Sequence, residues 1–174
     1  MIEAGKEYIV VARHRSYWDI PLLAIAFGLT KRIHFIARQG LEKNMVFRPL
    51  LALFSTTINR EKFSKTDLRH VLEMMKRERL VAVFPEGTTK SDVDLKAGVV
   101  HFARLTRKLI LPVQLKTDGP YPPRYPFGFP KMTISIGKAV SISELEEEIG
   151  VLPAKPCNRA SVLTQRLMEH VDAA

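Results

Sequence analysis

His14 and Asp19, five positions apart in His14-Arg15-Ser16-Tyr17-Trp18-Asp19, are residue types that do chemistry as a pair. A carboxylate on one imidazole nitrogen fixes the tautomer and prepares the other nitrogen to take a proton. On a regular helix, five residues correspond to roughly 500° of rotation, about 140° apart, so the two side chains would diverge. A turn wrapping between them brings them together. Against this stands a plainer reading: H-x4-D matches arise by chance in many sequences, and Asp is favoured as a helix cap.

The flanking sequence supplies such a turn. Tyr8-Ile9-Val10-Val11-Ala12 is apolar and rich in β-branched residues, the pattern of a buried strand, and Ile20-Pro21-Leu22-Leu23-Ala24-Ile25 reads as a helix with proline in its first turn. Further strands are expected at 32–37, 56–59, 80–84, 110–115 and 131–137, with Pro112 marking an end or an irregular position. Helices are expected from a capping box of Ser64 with Asp67, over 99–105, from a capping box of Ser143 with Glu146, and after Asn158. Leu68, Val71, Leu72 and Met75 recur at helical spacing behind the first of these caps. Residues 45–54 are apolar apart from Arg48 and read either as a core helix started by Pro49 or as a surface for a fatty chain or lipid. Residues 119–130 hold five prolines and four aromatics, which excludes regular structure and points to a loop packed on its own domain, with a membrane headgroup layer as the alternative. Strands alternating with helices predict an α/β fold, a mostly parallel central sheet flanked by helices, in a single domain over 1–174.

The net charge of +9 favours anionic partners: phosphate esters, acidic carrier proteins, an anionic membrane face or nucleic acid. The single Cys157 excludes an internal disulfide and a cysteine metal cluster, and fits a reducing compartment. The chain opens almost directly on its first strand, without a charged-then-apolar leader. No apolar run approaches the ~18–20 residues needed to span a bilayer, so membrane contact is expected from the surface.

A second chemical signal is Phe84-Pro85-Glu86-Gly87-Thr88-Thr89-Lys90-Ser91, directly after a buried strand. Ligands in such folds bind at the carboxyl ends of strands. Gly87 permits close backbone approach, Thr88, Thr89 and Ser91 offer hydroxyls, and Lys90 and Lys96 add positive charge, a set suited to a phosphate ester.

Together these stretches resemble the glycerophospholipid acyltransferases, in particular those acting on 1-acyl-glycerol-3-phosphate. The family carries an H-x4-D block, a block ending in Arg, an F-P-E-G-T block and a later strand containing Pro. Here they are matched in order by 14–19, 54–60, 84–91 and Leu111-Pro112-Val113, with Lys96-Ala97-Gly98 resembling the family's Lys-x-Gly. The resemblance covers about residues 8–140. It implies a glycerol-3-phosphate acyltransferase-like fold and transfer of a fatty acyl group to the free hydroxyl of a lysophospholipid. The donor is a thioester, acyl-CoA or acyl-carrier protein, used as co-substrate with no resident cofactor and no metal. By the same resemblance His14 is the general base and Asp19 its orienting partner, Arg60 holds the acceptor phosphate, Glu86 and Gly87 belong to the acceptor site, and Pro112 to the fourth block. Thr88, Lys90 and Lys96 are expected to join the substrate site by their own hydroxyl and positive charge. The expected setting is cytoplasmic and peripheral, on the anionic inner face of the membrane. The sequence departs from the family pattern at Arg13 (often Asn), Phe54 (usually Gly) and Thr89-Lys90 (usually Arg-Ser), which leaves the acceptor headgroup open, a lyso-ornithine lipid being one alternative to 1-acyl-glycerol-3-phosphate.

The chemistry agrees with the resemblance. An alcohol attacking a thioester needs a base to remove its proton, and a neutral imidazole suits that task near pH 7. Ser16 lies on the same tight turn as His14 and no G-x-S-x-G elbow exists, so a serine nucleophile is not expected. Two other classes compete: a catalytically inactive lipid-binding relative, and a nucleic-acid module. The latter rests on charge alone, for the chain has no RRM-type aromatic motif, zinc pattern or arginine stripe.

Overall fold

The computed structural model of the protein describes residue 3 and residues 5–16, 18–27, 32–38, 54–58, 64–87, 95, 97–122 and 130–174. Among these residues six strands form one sheet: β1 Tyr8–Ala12, β2 Ile33–Arg38, β3 Ser55–Ile58, β4 Leu80–Val83, β5 Leu109–Asp118 and β6 Lys131–Ile136. Their order is β3-β2-β4-β1-β5-β6. All neighbours are parallel except β5 and β6. Among the described residues five helices flank the sheet: α1 Asp19–Phe27, α2 Lys65–Arg77, α3 Gly98–Thr106, α4 Ile142–Ile149 and α5 Pro156–Ala173. The expected mostly parallel α/β layer fold is what the chain adopts.

β1 is central and buried at all five positions, as a continuous apolar run requires when both faces of a sheet are covered. Its alternation divides the core in two. Ile9 and Val11 pack with Val71, Val100, Leu145 and Leu163 of the other four helices. Tyr8, Val10 and Ala12 pack with Ile20, Leu23 and Phe27 of α1. Burying each such aliphatic side chain contributes roughly 1.5–3 kcal/mol before entropy is subtracted.

This division places the site. β1 and β4 are parallel neighbours, Val11 aligned with Val83. The helix after β1 lies on one face of the sheet, and the helix after β4 lies on the other. Connections that leave adjacent strands toward opposite faces open a crevice at the carboxyl ends of those strands, where ligands bind in open α/β sheets.

Some boundaries differ from the sequence reading. The capping box of α4 is Ser141 with Glu144, two residues earlier than Ser143 with Glu146. Starting there brings Ile142, with Leu145 and Ile149, onto the face that packs on the core. α5 begins at Pro156 after Lys155, ahead of Asn158, because proline's fixed φ suits the first helical position. Ser64 and Asp67 do form a capping box, but α2 buries Val71, Met74 and Met75, and Leu68 and Leu72 are only half-buried. Pro112 lies inside a ten-residue strand, opposite Val11. On the other side of β5, Val113 pairs with Ile136 and Ile110 bridges Val140, so three steps along β5 meet four along its partner. Pro112 sits in that bulge, where a missing N–H is tolerated, and its carbonyl accepts from Gly137 at 2.9 Å.

Candidate active site

Arg13 and His14 follow β1 directly, and Phe84, Pro85, Glu86 and Gly87 follow β4, so both turns leave the sheet at the same end. Between Ala12 and α1 the chain doubles back: the Asp19 amide donates to the Ser16 carbonyl at 3.1 Å, and the Trp18 amide to Oγ of Ser16 at 3.3 Å. The turn closes His14 onto Asp19. Nδ1 of His14 donates to Oδ2 of Asp19 at 3.0 Å, the hydrogen lying on the imidazole because a carboxylate only accepts. The same oxygen accepts from the amides of Arg15 at 2.7 Å and Ser16 at 2.9 Å. Asp19 is thus the first residue of α1, but its carboxylate serves the preceding turn and not the helix amides, which disposes of the simple cap.

The pair is shielded. The Asp19 side chain is 1% exposed and that of His14 is 11%. Phe84 stacks on the imidazole with ring centroids 4.4 Å apart and planes 23° apart, so the F-P-E-G turn itself forms one wall of the histidine's environment. Gly87 has φ of +66°, a left-handed conformation that favours glycine, and its amide donates to the Phe84 carbonyl at 3.0 Å to close that turn.

The two turns are joined through Glu86. Oε2 accepts from the His14 backbone amide at 2.8 Å, and Oε1 from Arg13 at 2.9 Å. Arg13 spends its other guanidinium edge on Asp172 of α5, at 2.6 and 2.5 Å. Asp172, then Glu86, hold the arginine's pKa above its ordinary value, and Arg13 holds the Asp172 carboxyl below the usual range. The carbonyl of Asp172 also accepts from Gln114 of β5 at 2.6 Å. Both oxygens of Glu86 are engaged within the chain, by the His14 amide and by Arg13.

Tyr121, in the proline-rich stretch after β5, donates its phenol to Oδ1 of Asp19. Arg13, Arg15, Asp19, Gln114, Tyr121 and Asp172 line a small hollow on the β5 side of the dyad.

Of the residues singled out by sequence, the structure brings together His14, Asp19 and Glu86, with Gly87 shaping the third block. Pro112 is buried in β5, one strand over, and not in the dyad's turn. Arg60, Thr88, Lys90 and Lys96 lie outside the described residues, as do 45–53 and 123–129. Phe54 is half-buried against the α1-side core. Among the described residues no cluster of His, Cys, Asp and Glu is arranged to hold a metal ion, and no helix is long and apolar enough to cross a membrane. Sequence reasoning missed three contributors: Arg13, visible there only as a departure from Asn, Tyr121, one aromatic among four in its loop, and Asp172, which carries no local signal.

Comparison with known proteins agrees with the fold. A family model described as Acyltransferase matches residues 1–116. Over 166 residues the chain is 26% identical to a 1-acyl-sn-glycerol-3-phosphate acyltransferase of Streptococcus pneumoniae, covering 94% of this chain and 61% of that protein. It is 24% identical over 172 residues to a protein of the same name from Bacillus subtilis, covering 98% of this chain and 82% of that one. The crystal structure of the 1-acyl-sn-glycerophosphate acyltransferase PlsC from Thermotoga maritima has the same fold, with a TM-score of 0.64 at 24% identity, over 99% of this chain and 68% of that one.

Proposed function

The chain belongs to the acyltransferase family, and on that premise we propose that it transfers a fatty acyl group from a thioester to the free hydroxyl of a lysophospholipid, with His14 as general base. The observation that carries the reading is the His14–Asp19 hydrogen bond, set in the crevice between β1 and β4 and locked to the F-P-E-G turn.

With Nδ1 donating to Asp19, Nε2 carries the lone pair. It takes the proton of the acceptor hydroxyl as that oxygen bonds to the thioester carbonyl carbon. The tetrahedral intermediate collapses with cleavage of the carbon–sulfur bond, and the imidazolium returns its proton to the departing thiolate. Thioester and alcohol thus become ester and thiol, and no covalent acyl-enzyme is required. Asp19 contributes by stabilising the imidazolium and by fixing its orientation.

Acyl-CoA or acyl-carrier protein is the donor, and 1-acyl-glycerol-3-phosphate, giving phosphatidate, is the first acceptor in this proposal. The relatives' printed names and the +9 charge support a phosphate-bearing acceptor. Arg60, Thr88, Lys90 and Lys96 are proposed as its phosphate contacts, Arg60 bidentate. Thr88-Thr89-Lys90 replaces a planar arginine fork with a lysine point charge, which favours testing other lysolipid headgroups beside it. The same charge supports a peripheral position on the anionic inner face of the membrane. The experiment is an acceptor screen of purified protein with one labelled acyl-CoA, wild type beside His14→Ala. Lysolipid-dependent release of CoA by the wild type and its loss in the variant are expected. Thioester consumption by neither protein, over all acceptors and with acyl-carrier protein as second donor, would leave a lipid-binding relative and refute the reading.

A further inference from the structure

We propose that Tyr121 is a positioning residue of the dyad: by donating to Oδ1 of Asp19 it sets the orientation of that carboxylate and limits how strongly it draws on the His14 proton. The inference deepens the acyl-transfer reading and rests on it for its meaning in catalysis.

The geometry is lopsided without this residue. Oδ2 of Asp19 accepts three hydrogen bonds, from Nδ1 of His14 and the amides of Arg15 and Ser16, all on one turn. Three donors on a single oxygen leave the carboxylate plane able to pivot about it. The donor that arrests the pivot arrives from 102 residues away, at the end of the strand on the far side of β1. At 1% exposure Oδ1 has no bulk solvent to turn to. A buried carboxylate oxygen that loses its donor bears the full cost of desolvation, so this contact is a strong constraint.

The phenol also draws charge away from the carboxylate. A carboxylate that shares its charge with a second donor draws less strongly on the proton of its imidazole partner. Burial first, and then the Asp19 charge, raise the Tyr121 pKa above its usual value, so the phenol keeps its hydrogen throughout the working range. Among the described residues the other charged groups facing the dyad are Arg13 and Arg15 on the turn, Glu86 after β4 and Asp172 on α5. None of them changes when Tyr121→Phe removes one oxygen and leaves the ring.

The test reads the His14 imidazole directly, by NMR titration of the full chain, its resonance assigned by loss in His14→Asn. In Tyr121→Phe the midpoint is expected to move up by about half a pH unit, with the acid limb of kcat/KM moving alongside and kcat falling roughly tenfold at little change in KM. Tyr8→Phe deletes a phenol oxygen at the opposite end of β1, where it accepts from the Glu3 amide. It should leave both titration and kcat at wild-type values. A wild-type His14 midpoint in folded Tyr121→Phe, whatever its turnover, overturns the proposal, as does an equal shift in Tyr8→Phe. If the wild type transfers no acyl group, the functional reading falls while the titration still decides the role of Tyr121.

Discussion

At the carboxyl end of the sheet Asp19 is buried to 1% exposure, and at the amino end the Lys108 side chain is buried to the same degree. The two charges are treated differently. Lys108, just before β5, is met by Glu7 at 3.0 Å and by the Glu78 carbonyl at 2.5 Å, residues that precede β1 and β4. It therefore ties together the starts of three parallel strands, and Glu7 remains 46% exposed. Among the described residues Asp19 is met by donors: two backbone amides, a phenol and the His14 imidazole. The amino end uses a buried charge as a staple. The carboxyl end uses one to hold the imidazole proposed as the base, at the crevice formed where the chain leaves β1 and β4 toward opposite faces. Burial of a charge alone therefore does not mark a site. What sets the carboxyl end apart is an imidazole as the partner, where the chain leaves β1 and β4 toward opposite faces.

The comparison can be broken by substitutions at either end. His14→Ala should lower kcat/KM by about 10³-fold or more at a cost of roughly 1–2 kcal/mol in unfolding free energy, since Asp19 keeps its amide and phenol donors and the protein stays folded. Steady-state kinetics and denaturant melts on one preparation check both. Lys108→Ala should do the reverse, losing roughly 2–3 kcal/mol by leaving a void and an orphaned carbonyl, with kcat near wild type. A large loss of turnover in the folded protein would erase the distinction between the two ends.

Smaller effects sharpen the carboxyl end. Arg13→Met leaves Glu86 bonded to the His14 amide but removes its link to α5, so kcat is expected to fall roughly tenfold, more than KM changes. A wild-type kcat would limit the Arg13 network to stability. Asp172→Asn should cost less than about 1 kcal/mol at neutral pH, since this ion pair is partly exposed and screened. Its signature is in the pH dependence. Arg13 lowers the folded-state pKa of Asp172 below the 3.8 of the unfolded chain, so the folded protein binds that proton less readily. The contribution is complete above that value and disappears as pH falls through the lowered pKa. Asp172→Asn should flatten this part of the acid-unfolding curve. Equal slopes in wild type and variant would remove the ion pair from the account.

Much of the architecture could be read locally. β1 announced itself by five consecutive buried-type residues, and α2 by its cap and its apolar spacing. The strand-to-helix turn holding His14 and Asp19 followed from the abrupt change between two such patterns. Capping boxes were less decisive. Ser141 and Ser143 both satisfy the motif, and the choice fell to Ser141 because that start turns Ile142 toward the core, a matter of packing and not of the cap itself.

The amino-acid sequence by itself determined the alternating strands and helices, the turn that folds His14 onto Asp19, and the glycine on which the Phe84–Gly87 turn depends, because each rests on residues a few positions apart. Only the tertiary structure decided that Glu86 grips the His14 amide, that Arg13 reaches Asp172 across 159 positions, and that a tyrosine from beyond β5 closes the last side of Asp19. Local periodicity says which face of an element is apolar. It carries no information on which distant polar side chain arrives at a buried oxygen, since that depends on strand order and on where each connection crosses the sheet.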